Sequence, residues 1–168
     1  CSSDLYQNSK KALWNYSIRQ SNWQGCKLYL ETYQKQNLEC IQKSISADLP
    51  CNEPILVCAI KNDLMKVKMQ IEHHKSLGIQ NFVYIDNMSN DGTLEWLISQ
   101  GVDLYQIDES FSATAKNAWI RQITDRYGYD RWYLVLDSDE LFVYPGMEYR
   151  NILDLVNFAV KEKMTFIQ

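Results

Sequence analysis

The chain has 168 residues, 46% hydrophobic and 23% charged, a globular composition sufficient for one domain and its core. Its net charge of −4 leaves no basic footprint for nucleic acid, and an anionic ligand would need a cation or backbone amides to hold it. The longest apolar runs are strand-sized, short of the roughly 20 residues that cross a bilayer, so no transmembrane segment is expected.

Residues 1–54 read as a helical extension and linker. Over 1–47, Trp14 and Ile18, then Leu28, Tyr29 and Tyr33, then Leu38, Ile41 and Ile45 trace an apolar stripe at helical spacing. Pro50 and Pro54 mark the boundary. Cys1, Cys26, Cys40, Cys51 and Cys58 follow neither C-x-x-C nor zinc spacing. An odd, scattered set reads as free thiols of a reducing compartment, so a cytoplasmic location is expected. The glycosylation sequons at Asn15 and Asn87 are short matches that arise by chance.

Residues 55–168 form the expected second unit, in which short apolar runs alternate with helical patterns, the signature of a parallel sheet with crossover helices. The first strand is 55–60. A helix follows over 64–77, with Leu64, Val67 and Ile71 facing inward, His74 on the same stripe as a satisfied core histidine, and Gly78 as the stop. The second strand, 82–85, ends at Asp86. Asp86-Asn87-Met88-Ser89-Asn90-Asp91-Gly92-Thr93 is rich in turn formers and leads into a helix over 94–100. An EF-hand is excluded, because the twelfth position falls on Ile98 where a bidentate Glu is required.

The third strand, 102–107, ends at Asp108-Glu109, and its helix carries Ala115-Lys116-Asn117 in the first turns. Lys116 is a cation at the wrong end of the helix dipole, which leaves it solvated or paired with an anion. The fourth strand, 133–136, reads as buried and ends in Asp137-Ser138-Asp139-Glu140. Two carboxylates one residue apart at a strand's C-terminal end suit a hard cation, Mg²⁺ or Mn²⁺. A helix over 151–163 and a short strand over 164–167 complete the reading. Right-handed crossovers favour a Rossmann-like strand order 3-2-1-4, which brings Asp86, Asp137 and Asp139 to one crevice around Ile60 and Lys61.

The segment 55–144 resembles the family 2 glycosyltransferases, which have the GT-A fold. Ala59-Ile60-Lys61-Asn62-Asp63 is similar to the family's first-strand end, and Gln70-Ile71-Glu72-His73-His74-Lys75-Ser76-Leu77-Gly78-Ile79 to its first crossover helix. The run from Asp86 to Thr93 resembles its D-N-x-S-x-D-G-T loop, Ala115-Lys116-Asn117 its A-R-N helix, and Leu136-Asp137-Ser138-Asp139-Glu140 its D-x-D. The resemblance implies a nucleotide-diphosphate sugar donor, a uridine diphosphate sugar above all, and a Mn²⁺ or Mg²⁺ cofactor. It implies hexosyl transfer with inversion to a carbohydrate, lipid-linked or protein acceptor.

By the same resemblance Ile60, Lys61, Asp86, Asp91, Lys116, Asp137 and Ser138 line the donor-nucleotide site, and Asp137 and Asp139 hold the metal. Asp86 would contact the base. Lys116 stands where the motif has Arg and keeps the charge without the bidentate geometry. The family's catalytic base lies well beyond the D-x-D, and no candidate for it stands in 1–168; Glu148 and Glu162 read as surface residues. The expectation is a donor-binding piece of a longer protein, or an acceptor site supplied otherwise. A non-catalytic nucleotide-sugar-binding module is the alternative. A nucleotidyltransferase would need a glycine-rich loop after the first strand, where Ile60-Lys61-Asn62-Asp63 has none, and a dehalogenase-type phosphatase would carry its D-x-D on the first strand, with Thr or Val in place of Leu141.

Overall fold

A computed structural model describes residues 37–164. Its elements are β1 (Glu39–Gln42), β2 (Ile55–Ile60), α1 (Leu64–Ser76), β3 (Asn81–Asp86), α2 (Thr93–Gln100), β4 (Asp103–Gln106), α3 (Ala113–Tyr127), β5 (Tyr133–Val135) and α4 (Ile152–Lys161). They form an α/β layer structure around one five-stranded sheet of order β1-β4-β3-β2-β5. The four strands of the βα units are parallel and stand in the expected 3-2-1-4 arrangement, and β1 adds an antiparallel edge beside β4.

Helices cover both faces because β2 and β3 are apolar on both. Leu56, Cys58, Ile60, Phe82 and Tyr84 face a core shared with Val67 and Ile71 of α1, Leu97 of α2 and Ile152 of α4. The alternate residues Ile55, Val57, Ala59, Val83 and Ile85 face Ala115, Trp119 and Ile123 of α3. Burial of all six β2 residues explains a continuous apolar run where a one-sided strand would alternate. Gly78, at φ 94°, ends α1 in the left-handed region, and a Cβ there would meet the Asn151 Cβ at 3.3 Å. That close approach lets the Ile152 amide, at the start of α4, donate to the Leu77 carbonyl at 2.8 Å.

The helical reading of 37–47 is corrected. Glu39–Gln42 is a strand, paired with an edge of β4 whose backbone groups need partners. A helix would bury Leu38, Ile41 and Ile45 together, but Ile41 is 37% exposed. The chain after β1 is fastened by buried Asp103, which accepts from the Ser44 hydroxyl at 3.0 Å and the Ile45 amide at 2.8 Å. Long-range hydrogen bonds thus override an apolar spacing that fits a helix. The rest of the stripe, Trp14 to Tyr33, lies outside the described residues.

The fourth βα strand is also shorter and more exposed than expected. β5 is the edge of the sheet among the described residues, with only β2 beside it, and Val135 is 41% exposed. At the C-terminal side, Met164 is in neither helix nor strand, and the remainder of the expected strand 164–167 is outside the described residues.

Candidate functional site

In a parallel sheet every strand ends at the same edge, and here the crossovers reverse direction between β2 and β5. The helix after β2, α1, lies on one face and the helix before β5, α3, on the other. Such a reversal leaves a crevice at the strand ends. β5 leaves the sheet early: its last paired residue, Val135, stands opposite Val57, so residues 58–60 of β2 have no strand pairing on that side among the described residues. The loops that follow β2, β3 and β5 are tied to one another across this edge. The Asn62 amide donates to the Ser89 hydroxyl at 2.8 Å, the Asn90 amide to the Asn62 side-chain carbonyl at 2.8 Å, and the Ser138 hydroxyl to Asp63 Oδ2 at 2.8 Å. Asn62 and Met88 both hold positive φ, near 56° and 55°. Side chains in that region are strained, and such strain collects at binding sites.

Asp86, the last residue of β3, is fully buried. Its Oδ2 accepts from the Ser89 amide at 3.0 Å and from Gln106 Nε2 at 3.2 Å. Its Oδ1 has no donor among the described residues, and the same holds for Oδ1 of the neighbouring Asn87, whose Nδ2 donates to the Glu109 carbonyl at 3.0 Å. A buried carboxylate oxygen without a donor is costly, on the order of 1–3 kcal/mol, and calls for a partner from outside the described residues. Burial of Asn87 also removes its sequon from the surface that glycosylation requires.

Asp137, Ser138, Asp139 and Glu140 form a tight turn, closed by the Glu140 amide donating to the Asp137 carbonyl at 3.0 Å. The Asp137 and Asp139 side chains are 55% and 65% exposed, and each is met by a lysine. Lys116, in the first turns of α3, forms an ion pair with Asp137 Oδ1, so the cation at the unfavourable helix end is paired with an anion. Lys66, on α1, lies 3.4 Å from Asp139 and 3.3 Å from Asp63. Those carboxylates, Asp63 foremost, hold its ammonium above the ordinary lysine range. Beneath the turn the Cys58 thiol is pushed far up, by burial first and by the charge of Asp137 second. It is an inert core group.

The other expected site residues sit around this edge in different ways. Ile60 is buried with Leu56 and Cys58, so its side chain belongs to the core, and its carbonyl accepts from the Asn87 amide at 2.9 Å. Lys61 is exposed at the strand end. Asp91 caps two helix starts, accepting from the Thr93 amide at 3.0 Å and the Leu64 amide at 3.3 Å. The Thr93 hydroxyl foremost, with those amides, holds its carboxyl below the usual range. Ser138 is buried and joins the acidic turn to Asp63. Sequence reasoning missed Asp63, Lys66 and Gln106. Asp63 was visible as the residue before a helix; the other two carry no signal apart from their tertiary partners.

Among the described residues no group of three His, Cys, Asp or Glu side chains could hold a metal ion without other ligands. Two exposed carboxylates fit a different arrangement. Mg²⁺ and Mn²⁺ are commonly held by one or two protein carboxylates, with substrate phosphates and water completing the shell. Asp137 and Asp139 offer that donor set. No helix among the described residues is long and apolar enough to cross a membrane.

No family model matches the chain, and no curated protein matches it. Among solved structures, the chain is similar to a mannosyltransferase from Pyrobaculum calidifontis, in complex with GDP-Man and Mn²⁺, at 16% identity and a TM-score of 0.42. The match covers 82% of this chain and spans 39% of that one, a coarse likeness of fold.

Proposed function

We propose that the chain forms the donor-binding part of a metal-dependent glycosyltransferase of the family 2 type, taking a nucleotide-diphosphate sugar and passing the sugar to a hydroxyl acceptor. The observation that carries this reading is the buried Asp86 Oδ1, without a donor among the described residues, at the same sheet edge as Asp137 and Asp139. β3 and β5 flank β2, so Asp86 and the acidic turn are separated by two strand spacings, roughly 10 Å. A nucleoside diphosphate covers such a span between its base and its phosphates. A base N–H donating to Asp86 Oδ1 satisfies that oxygen and orients the nucleotide along the crevice.

Asp137 and Asp139 would hold the divalent cation. Once bound, Mn²⁺ or Mg²⁺ screens the diphosphate from the carboxylates and stabilises the charge that develops as the nucleoside diphosphate leaves. Lys116, its side chain 20% exposed beside Asp137, adds a fixed positive charge there. Lys61 stands at the mouth on the β2 end. Ser138 and Asp91 hold the shape of the loops through their bonds to Asp63 and to two helix starts.

Calorimetric titration of the chain with UDP and with GDP, each with and without Mn²⁺, tests the reading. Binding that Mn²⁺ strengthens is the expected result; no binding of either nucleotide, or binding that Mn²⁺ does not strengthen, overturns it. A sugar-transfer assay on the intact gene product then separates an enzyme from a nucleotide-sugar-binding module.

A further inference from the structure

Residues 136–144 form neither helix nor strand, yet this stretch carries the acidic turn. β5 ends at Val135, and once the Leu136 amide has donated to the Val57 carbonyl at 3.2 Å the backbone has no neighbouring strand among the described residues to pair its polar groups. Three side chains of α1 take over. Gln70, fully buried, donates from Nε2 to the Asp137 carbonyl at 2.6 Å and to the Glu140 carbonyl at 3.3 Å, and its Oε1 accepts from the Tyr84 hydroxyl at 2.9 Å. His74, also fully buried, donates from Nδ1 to the Gln70 carbonyl at 2.7 Å. Its Nε2 accepts from the Phe142 amide at 3.2 Å. His73 donates from Nε2 to the Phe142 carbonyl at 2.7 Å. The i, i+3, i+4 spacing of these residues places them side by side on one helix face.

We infer that Gln70 and His74 are positioning residues of the acidic turn, a buried clamp that sets where Asp137 and Asp139 stand relative to the nucleotide. The inference rests on the proposed function, because it assigns a purpose to that site's support. A carboxamide suits position 70 for a specific reason: two carbonyls need donors while the Tyr84 hydroxyl needs an acceptor, and an amide carries two N–H donors and a carbonyl acceptor on one side chain. A glutamate would set a carboxylate against two carbonyls, and a methionine would fill the space with no donor. At position 74 a neutral ring must donate on one side and accept on the other, which fixes its tautomer. The clamp is anchored in the core through Tyr84 of β3, so it relates the acidic turn to the strand that ends at Asp86.

The test compares Gln70→Met, His74→Met and His74→Gln in the full 168-residue chain. Each is titrated with whichever of UDP or GDP binds the parent more tightly, with and without Mn²⁺. Gln70→Met and His74→Met are expected to reduce the Mn²⁺-dependent gain in affinity roughly 10-fold to 100-fold, as loss of a supporting hydrogen bond does at metal sites. Metal-free affinity should move by less than about twofold, as for an independent region. His74→Gln places an amide oxygen near the former Nε2 and should restore most of the gain. Hydrogen exchange at the Glu140 amide, which bonds the Asp137 carbonyl, should quicken in the two Met variants. A Mn²⁺-dependent gain unchanged in both Met variants overturns the inference alone. A loss equal with and without metal also overturns it, showing general damage to the fold. A parent that shows no Mn²⁺-dependent gain overturns the proposed function itself, and the clamp's purpose with it.

Discussion

Two aspartates on adjacent strands, both fully buried, mark opposite ends of the sheet. Asp103 begins β4 and has a complete donor set: Oδ1 receives the Ser44 hydroxyl at 3.0 Å and the Ile45 amide at 2.8 Å, and Oδ2 receives the Tyr127 hydroxyl. Asp86 ends β3 and, among the described residues, has donors on one oxygen only. A carboxylate saturated from within its own chain fastens structure, here the edge strand β1 and the C-terminal end of α3. A carboxylate left half-saturated at the end of a parallel strand is a place where a ligand's donor completes the bonding. Residue type and burial are the same at the two sites; only the bonding differs.

Asp103→Ala is the sharpest way to break that contrast. It strands several donors at once and should cost on the order of 3 kcal/mol in chemical denaturation, while the folded fraction keeps its nucleotide affinity. Asp139→Ala should do the opposite. Its side chain is 65% exposed, so stability should change by less than about 0.5 kcal/mol, and the Mn²⁺-dependent part of nucleotide binding should disappear. Equal affinity in variant and parent would remove Asp139 from the metal site. Asp86→Ala should lower metal-free nucleotide affinity roughly 10-fold, as loss of one charge-assisted hydrogen bond does. An unchanged metal-free affinity would make Asp86 a second structural aspartate and dissolve the comparison.

The smallest expected effect is on pH dependence. Burial foremost, with the charge of adjacent His73 adding to it, lowers His74 below its ordinary value of 6.5, against the raising effect of its bond to the Gln70 carbonyl. The unfolded chain therefore takes up a proton near pH 6.5 that the folded chain refuses. This contribution is fully present above that pH and is lost as the pH falls toward the folded value, with a slope of at most about 1.4 kcal/mol per pH unit. Denaturation midpoints measured between neutral and mildly acidic pH should show the decline in the parent and a flatter profile in His74→Gln.

The parts legible beforehand were those encoded by neighbours in the chain. The apolar runs at β2 and β3, the glycine after α1, the turn formers from Asp86 to Thr93 and the acids after β5 each declare themselves within a few residues. The largest misreading, a helix at 37–47, arose where spacing fitted two structures and the choice lay with a distant partner, Asp103, 58 residues from Ile45. His74 was legible as a core histidine but not as a support for the acidic turn, because its second partner, Phe142, is 68 residues away.

From its own order of residues the chain determined an alternating βα architecture, the ends of its strands and the kinds of side chain delivered there, since periodicity and turn chemistry act over short distances. The tertiary structure alone decided that Asp86 is buried with one oxygen unanswered among the described residues, that Lys116 and Lys66 meet the two exposed acids, and that Gln70 reaches 67 residues along the chain to grip the Asp137 carbonyl. Those are properties of groups made neighbours by folding, and hydrogen bonds and charges act only between groups that the fold has brought within reach.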